Sequence, residues 1–212
     1  MAKRVTTTRA NTRHIAGWLQ LASQTDIAAG IEWYARAERL ATRLAAEYGV
    51  TYQQAVGVLA ALSPNNKWAR NCVDAEAMCR AHAAGIDPTS VKVCTFNPNK
   101  AKAAAILADA SLSQDAVAAI LSGRKVTAFF LSITGRADAV CVDGHAYAIW
   151  AGERIPTTQT PSMSAKVYGE IARAYCLVAK RSATLCGEQL TPAQVQAVTW
   201  VAYRRIALGL TD

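Results

Sequence analysis

Alanine occupies 44 of the 212 positions, and the other apolar residues recur among polar ones at helical spacing over most of the chain. Small unbranched side chains favour the helix and let neighbouring helices approach closely, so this pattern predicts close-packed helices rather than a β-sandwich. Cap and stop signals divide the run. Asp26 is placed to cap a helix through Tyr48 with Ile27, Ile31, Tyr34, Leu40 and Leu44 on its apolar face, and Gly49 stops it. Thr51 opens an apolar helix that ends against Ser63 and Pro64, and another helix runs from Asn66 to Ala84. The piece VKVCTF reads as extended. Asn97 and Pro98 then read as a cap and first turn, and Ser113 as the next cap. A helix from Gly123 to Gly135 and the short run AVCV lead to Asp143, which is placed to cap HAYAIWAG. Two helices over 162–181 and 191–208 follow, the second started by Thr191 and Pro192. The fold class predicted is all-α.

Hydrophobic residues make up 52% and charged residues 18% of the chain, which excludes a largely disordered protein. No segment reaches the roughly 20 apolar residues that span a bilayer, so no membrane partner is expected. The opening stretch MAKRVTTTRANTRHIAG lacks the apolar region of a secretory signal. It reads as a basic arm or lobe extension over 1–25, ahead of a body over 26–212. Lys3, Arg4, Arg9 and Arg13 there can meet phosphates or stay solvated. The net charge of +8 suits a polyanionic partner, and equally a protein that is merely basic. The six cysteines form no CxxC pair and do not cluster with the three histidines. Buried reduced thiols, a cytoplasmic setting and no metal site are expected.

The most informative stretch is AAILSGRKVTAFFLSITGRADAVCVDGHAYAIWAG, residues 118–152 without the leading edge of its first helix. It reads as helix, glycine-containing turn, helix, short extended piece, then an acidic residue at a helix start. Such a turn points backbone N–H groups at a phosphate and needs a small residue for close approach, which Gly123 supplies. Arg124 and Lys125 add positive charge at the adjoining helix start. Asp143 stands 20 positions after Gly123. It reads as a helix cap, a catalytic carboxylate, or both.

Leu121-Ser122-Gly123 with Ala128, followed by Val142-Asp143-Gly144-His145, resembles the helix–hairpin–helix base-excision DNA glycosylase superfamily in order and nearly in spacing. The resemblance implies a two-lobed, all-α glycosylase-like fold, with residues 51–135 forming the hairpin-bearing lobe and the flanking helices the second. It also implies double-stranded DNA as partner and a flipped base as substrate. Asp143 would stabilise the positive charge that develops on deoxyribose as the glycosidic bond breaks, or steer the nucleophile, with His145 as its support. The family's hairpin lysine falls on Thr127 by strict count. Lys125 stands two positions earlier and reads as a phosphate or surface contact, which implies a monofunctional enzyme. The second hairpin glycine is missing, and the family's arginine falls on Ala148. Only Cys176 and Cys186 lie where relatives hold four iron–sulfur ligands, so no cluster and no other cofactor is expected.

In the resembled family the segment matching Leu62-Ser63-Pro64-Asn65-Asn66-Lys67-Trp68 feeds the DNA interface. Ser63, Asn65 and Asn66 carry amides and a hydroxyl suited to a base edge, Lys67 adds charge, and Trp68 can stack on a base. An ordinary helix junction with Trp68 in the core accounts for the same residues. Asn97, Asn99, Lys100 and Lys102 read as a phosphate-facing edge or a solvated basic face. In the last helix Gln196, Trp200 and Tyr203 share one side and can line a pocket or fill the core.

ALSPNNKWARN, the VDxH element and QAVTWVAYRR together also resemble compact phage-encoded members of the superfamily related to thymine hypermodification. Those act on a pyrophosphorylated 5-hydroxymethyl base and take an amine or amino-acid co-substrate. Three functions are therefore expected as alternatives: hydrolysis of an N-glycosidic bond, base modification without excision, and DNA binding without catalysis. A phage protein would work in the cytoplasm of a bacterial host.

Overall fold

The computed structural model describes residues 9–136 and 138–210. Among these the protein is all-helical, with no strand. In chain order the helices are α1 (Arg9–Leu21), α2 (Gln24–Tyr48), α3 (Tyr52–Leu62), α4 (Trp68–Ala83), α5 (Asn97–Leu107), α6 (Gln114–Leu121), α7 (Arg124–Ile133), α8 (Gly144–Ala151), α9 (Ala165–Ala179), α10 (Ser182–Cys186) and α11 (Pro192–Leu208). No helix among the described residues is long and apolar enough to cross a membrane.

Several boundaries have direct chemical causes. Thr51 and Thr191 each form a capping box with the glutamine three positions on, Gln54 and Gln194. Ser113 accepts the Ala116 N–H, and Asp143 the Ala146 N–H. Helix α2 starts earlier than its acidic residue suggested. The Ser23 hydroxyl accepts the Asp26 N–H, while the Asp26 carboxylate accepts both Ser23 N–H and Ser23 O–H, so Asp26 is the reciprocal partner and not the cap. At α5 the cap position is Phe96 rather than Asn97, and no side chain caps it. The stretch 162–208 holds three helices: α9 and α11 fall within the two expected, and the short α10 occupies the connection between them. VKVCTF and AVCV pair with no strand.

The chain divides into two compact units: a central unit, Ala35–Gly135, and a terminal unit formed by the described residues of Met1–Tyr34 and Arg136–Asp212. In the central unit α3 is the core helix, with Gln54 through Leu62 buried. Gly57 permits close packing. A Cβ there would meet Val117 Cγ1 at 2.8 Å and Ile106 Cγ2 at 3.0 Å. Gln54 Nε2 donates to the Ile106 and Leu107 carbonyls at 3.1 and 2.9 Å, closing the end of α5 while its Oε1 accepts the Thr51 N–H.

In the terminal unit Ile15 and Leu19 of α1 pack with Val142, Ile149, Trp150, Ile171, Tyr175 and Val198. Residues 9–21 of the expected arm are thus a helix with a buried face, and Arg9 and Arg13 are on its exposed side. Lys3 and Arg4 lie outside the described residues. The Trp150 carbonyl at the end of α8 accepts Asn11 Nδ2 at 3.0 Å and lies 3.1 Å from His14 Nδ1. Gly152 closes α8 at φ +77°, and any Cβ there would collide with the His14 ring. Asp26 is 2% exposed and takes a two-pronged contact from Arg205 of α11, Nη2 to Oδ2 at 2.6 Å and Nε to Oδ1 at 2.9 Å. Only Cys79 and Cys141 are buried. Cys72, Cys176 and Cys186 are half-buried, and Cys94 is exposed in a loop, its N–H bonded to Asp74.

Candidate functional site

In the terminal unit the extended residues 140–142 leave backbone groups that no strand satisfies. Tyr168 of α9 satisfies two of them with one hydroxyl, donating to the Val140 carbonyl at 2.9 Å and accepting the Val142 N–H at 3.0 Å. Asp143 follows as the cap of α8. Its Oδ1 accepts the Ala146 N–H at 2.8 Å, and Oδ2 takes no hydrogen bond from any described residue. A carboxylate at this end of a helix is favoured by the helix dipole. Beneath α8, the fully buried Tyr175 donates to the Ala146 carbonyl at 3.4 Å. Burial pushes its phenol far above the ordinary value, and the Asp143 charge acts in the same direction, so Tyr175 serves there as a donor.

Aromatic rings gather around His145, two positions after Asp143. The His145 ring lies 5.6 Å from Tyr203 and 6.4 Å from Trp200, between ring centres. Trp200 lies 4.8 Å from Trp33, and the Arg204 guanidinium carbon stands 4.4 Å from the Trp200 ring. Tyr203 is buried and meets Trp18 edge-on at 5.1 Å, whereas Trp33 and Trp200 are half-buried. The segment after α8 folds over its start. A Cβ on Gly144 would meet Thr160 Oγ1 at 2.7 Å and Thr157 Cγ2 at 3.2 Å, and Thr160 Oγ1 is buried without a hydrogen-bond partner. Ala148 is fully buried in the core.

In the central unit α6 and α7 form a helical hairpin joined by Ser122 and Gly123. The left-handed residue is Ser122, at φ +55°, and Gly123 has an ordinary φ of −92°. A Cβ on Gly123 would touch only the Val126 side chain closely, at 3.1 Å. The glycine's own conformational freedom is therefore not what the turn uses. Arg124 and Lys125 are exposed at the start of α7, which no side chain caps. Thr127 faces inward, its hydroxyl donating to the Ala118 carbonyl at 3.4 Å and tying the two helices together.

The loop from Ser63 to Trp68 belongs to the same unit as the hairpin. Asn65 is exposed and left-handed at φ +55°, and Lys67 is exposed. Asn66 turns inward, because Nδ2 donates to the Leu62 carbonyl at 3.3 Å and to Asp74 Oδ2 at 3.0 Å, and Oδ1 is buried without a partner. Asp74, 1% exposed, also accepts Arg70 Nε at 2.7 Å and the Cys94 N–H at 2.8 Å. Trp68 is half-buried, edge-on to Phe129 of α7 at 6.2 Å.

The structure thus gathers Asn65, Asn66, Lys67, Trp68, Gly123, Arg124, Lys125 and Thr127 in the central unit. Asp143 and His145 belong to the terminal unit with Trp200 and Tyr203. Sequence reasoning missed Trp33, Thr160 and Tyr168. Trp33 lies next to Tyr34 of the apolar face in α2, and its aromatic type was the available signal. No local signal marked Thr160 or Tyr168, whose partners lie 16 and 26 or more positions away.

Residues 1–207 match the family of unknown function DUF7178, and the chain belongs to that family. No curated protein and no solved structure matches it.

Proposed function

We propose that this member of the DUF7178 family is a DNA-base enzyme with a two-lobed helix–hairpin–helix glycosylase-like fold that hydrolyses the N-glycosidic bond of a flipped, modified or damaged base. The observation that carries the reading is Asp143. One of its oxygens is fixed on the Ala146 N–H, the other is open, and half-buried Trp200 and Trp33 stand on the same unit with His145. In the proposed reaction the base leaves with the bonding electron pair. The open carboxylate oxygen stabilises the positive charge left on the sugar, and water adds to the anomeric carbon with loss of its proton to solvent. Trp200 offers a stacking face, a contact that tolerates many bases. The exposed Arg124 and Lys125 at the uncapped start of α7 supply the charge for duplex phosphates.

One observation favours a second reading, base modification with the glycosidic bond retained. Where the resembled glycosylases carry an arginine this chain has Ala148, which is buried in the core, so an excision site here lacks that contact. In this reading an amine or amino acid displaces pyrophosphate from a 5-hydroxymethyl pyrimidine at the same aromatic surface.

The test is incubation of the full chain with duplexes carrying normal, damaged and pyrophosphorylated bases, followed by mass analysis of nucleosides and released bases. Free base supports hydrolysis. A heavier retained nucleoside with pyrophosphate released in the presence of an amine supports modification. Salt-sensitive binding with unchanged bases leaves a DNA-binding protein without catalysis.

A further inference from the structure

Two lysines of α5 leave their helix in different directions. Lys100 Nζ donates to the Val91 carbonyl at 3.2 Å, and Lys102 Nζ reaches the hairpin turn. There it donates to the Leu121 carbonyl at 2.7 Å and to Ser122 Oγ at 2.8 Å. The same Leu121 carbonyl accepts the Gly123 N–H at 2.7 Å. A cation at the carbonyl end of α6 is favoured by the helix dipole. Its placement also answers a defect in the turn. The left-handed position at the end of α6 usually belongs to glycine, and here it belongs to Ser122, with glycine one position late. A non-glycine residue in that conformation is disfavoured by about tenfold in population. By gripping both the carbonyl before Ser122 and the Ser122 hydroxyl, Lys102 offsets that bias. Lys102, expected on a phosphate-facing edge or a solvated basic face, thus has its ammonium group on the hairpin turn.

We propose that Lys102 is a positioning residue: it holds Ser122 in its left-handed conformation, and so fixes the direction in which the start of α7, with Arg124 and Lys125, meets a duplex phosphate. This rests on the DNA reading above. It differs from a direct phosphate contact by Lys102, because it acts through the Ser122 backbone and is replaceable by glycine at 122.

The test compares duplex affinity by fluorescence anisotropy, over a salt series, for the full-length protein and for Lys102→Met, Ser122→Gly and the double variant. The backbone chemical shifts of residue 122 are recorded alongside. Lys102→Met is expected to lose about tenfold in affinity and to shift residue 122 out of the left-handed region. Ser122→Gly alone stays within about twofold of the parent, and in the double variant it restores most of the loss. Where Lys102→Met does not fold, Lys102→Gln, which keeps a donor for one of the two acceptors, takes its place. Parent-like binding by the lysine variant overturns the proposal, as does a loss that Ser122→Gly fails to rescue, which assigns Lys102 to phosphate. No salt-sensitive duplex binding by the parent overturns the DNA reading itself, an outcome separate from those two.

Discussion

Arg204 holds its guanidinium carbon 4.4 Å from the centre of the Trp200 ring, one helical turn earlier on α11. This contact covers one face of the indole with positive charge while the ring remains half-buried, so it favours stacking of an electron-rich ring nearby. Under the proposed function Trp200→Ala is expected to weaken binding of a duplex carrying the substrate base by roughly tenfold or more, the usual worth of one base–aromatic stack. Trp200→Phe retains most of it. Anisotropy with substrate and with undamaged duplex checks this, since a loss equal for both removes Trp200 from base recognition.

Asp143 separates cap from chemistry when replaced conservatively. Asn caps helices as well as Asp, so Asp143→Asn should unfold within a few degrees of the parent. Under the proposed function its base-release rate should fall by about a thousandfold, the scale for losing one charge-stabilising group. Asp143→Ala adds about 1 kcal/mol of lost capping. Single-turnover base release paired with thermal unfolding distinguishes the two effects, and unchanged release by Asp143→Asn removes the carboxylate from the mechanism.

Tyr168→Phe deletes one hydroxyl and with it both contacts to residues 140–142. Leaving a buried N–H and carbonyl unpaired costs about 1–3 kcal/mol, so a drop of that size is expected in urea unfolding. Under the proposed function the rate of base release should fall while duplex affinity holds, because the change loosens the segment that carries Asp143 and touches no stacking surface.

Gly144→Ala puts a methyl group within 2.7 Å of Thr160 Oγ1. A destabilisation of about 1–3 kcal/mol is expected. Thr160→Ala in the same chain should recover most of it, a non-additive pair. Thr160→Val alone should be neutral or stabilising, because it removes a buried hydroxyl that has no partner.

Asp26 gives the protein a defined response to acid. The hydrogen bonds from Arg205 first, and then the contacts from Ser23, hold its carboxyl below the usual value near 3.8. A depressed folded-state value means that the ion pair's contribution is present above about pH 4 and is lost as pH falls through the folded value. Arg205→Met should destabilise the protein at pH 7, because it leaves the buried Asp26 carboxylate without its partner, and the loss is moderated because the arginine is partly solvated. The gap between parent and variant should narrow below pH 4, and urea unfolding at pH 7 and pH 3 measures it.

The helical class and most helix starts were legible because caps act locally. Thr51, Ser113, Asp143 and Thr191 each serve the N–H three positions on. Asp26 misled because a reciprocal partner and a cap are the same residue types, three positions apart. The turn residue was misplaced for a different reason. Glycine usually takes the left-handed conformation, yet Ser122 does so here with support from Lys102, 20 positions away. The candidate site was half legible. Asp143, His145 and Trp200 stood out by type and spacing. Trp33 joins Trp200 across 167 positions, and Tyr168 reaches back to residues 140 and 142, so only folding brings them together.

The grip of Asn11 and His14 on the Trp150 carbonyl has a consequence for how the molecule is made. These partners stand 139 and 136 residues apart. The central unit is one unbroken stretch of chain and can condense on its own ribosome-emergent segment. The terminal unit waits. Its first helix exits early with the apolar Ile15 and Leu19 uncovered, and the helices that bury them follow only after the entire central unit has been translated. At synthesis rates of about 5–20 residues per second, that interval lasts several seconds. The core beneath α8 is therefore completed only after the last helices have been made.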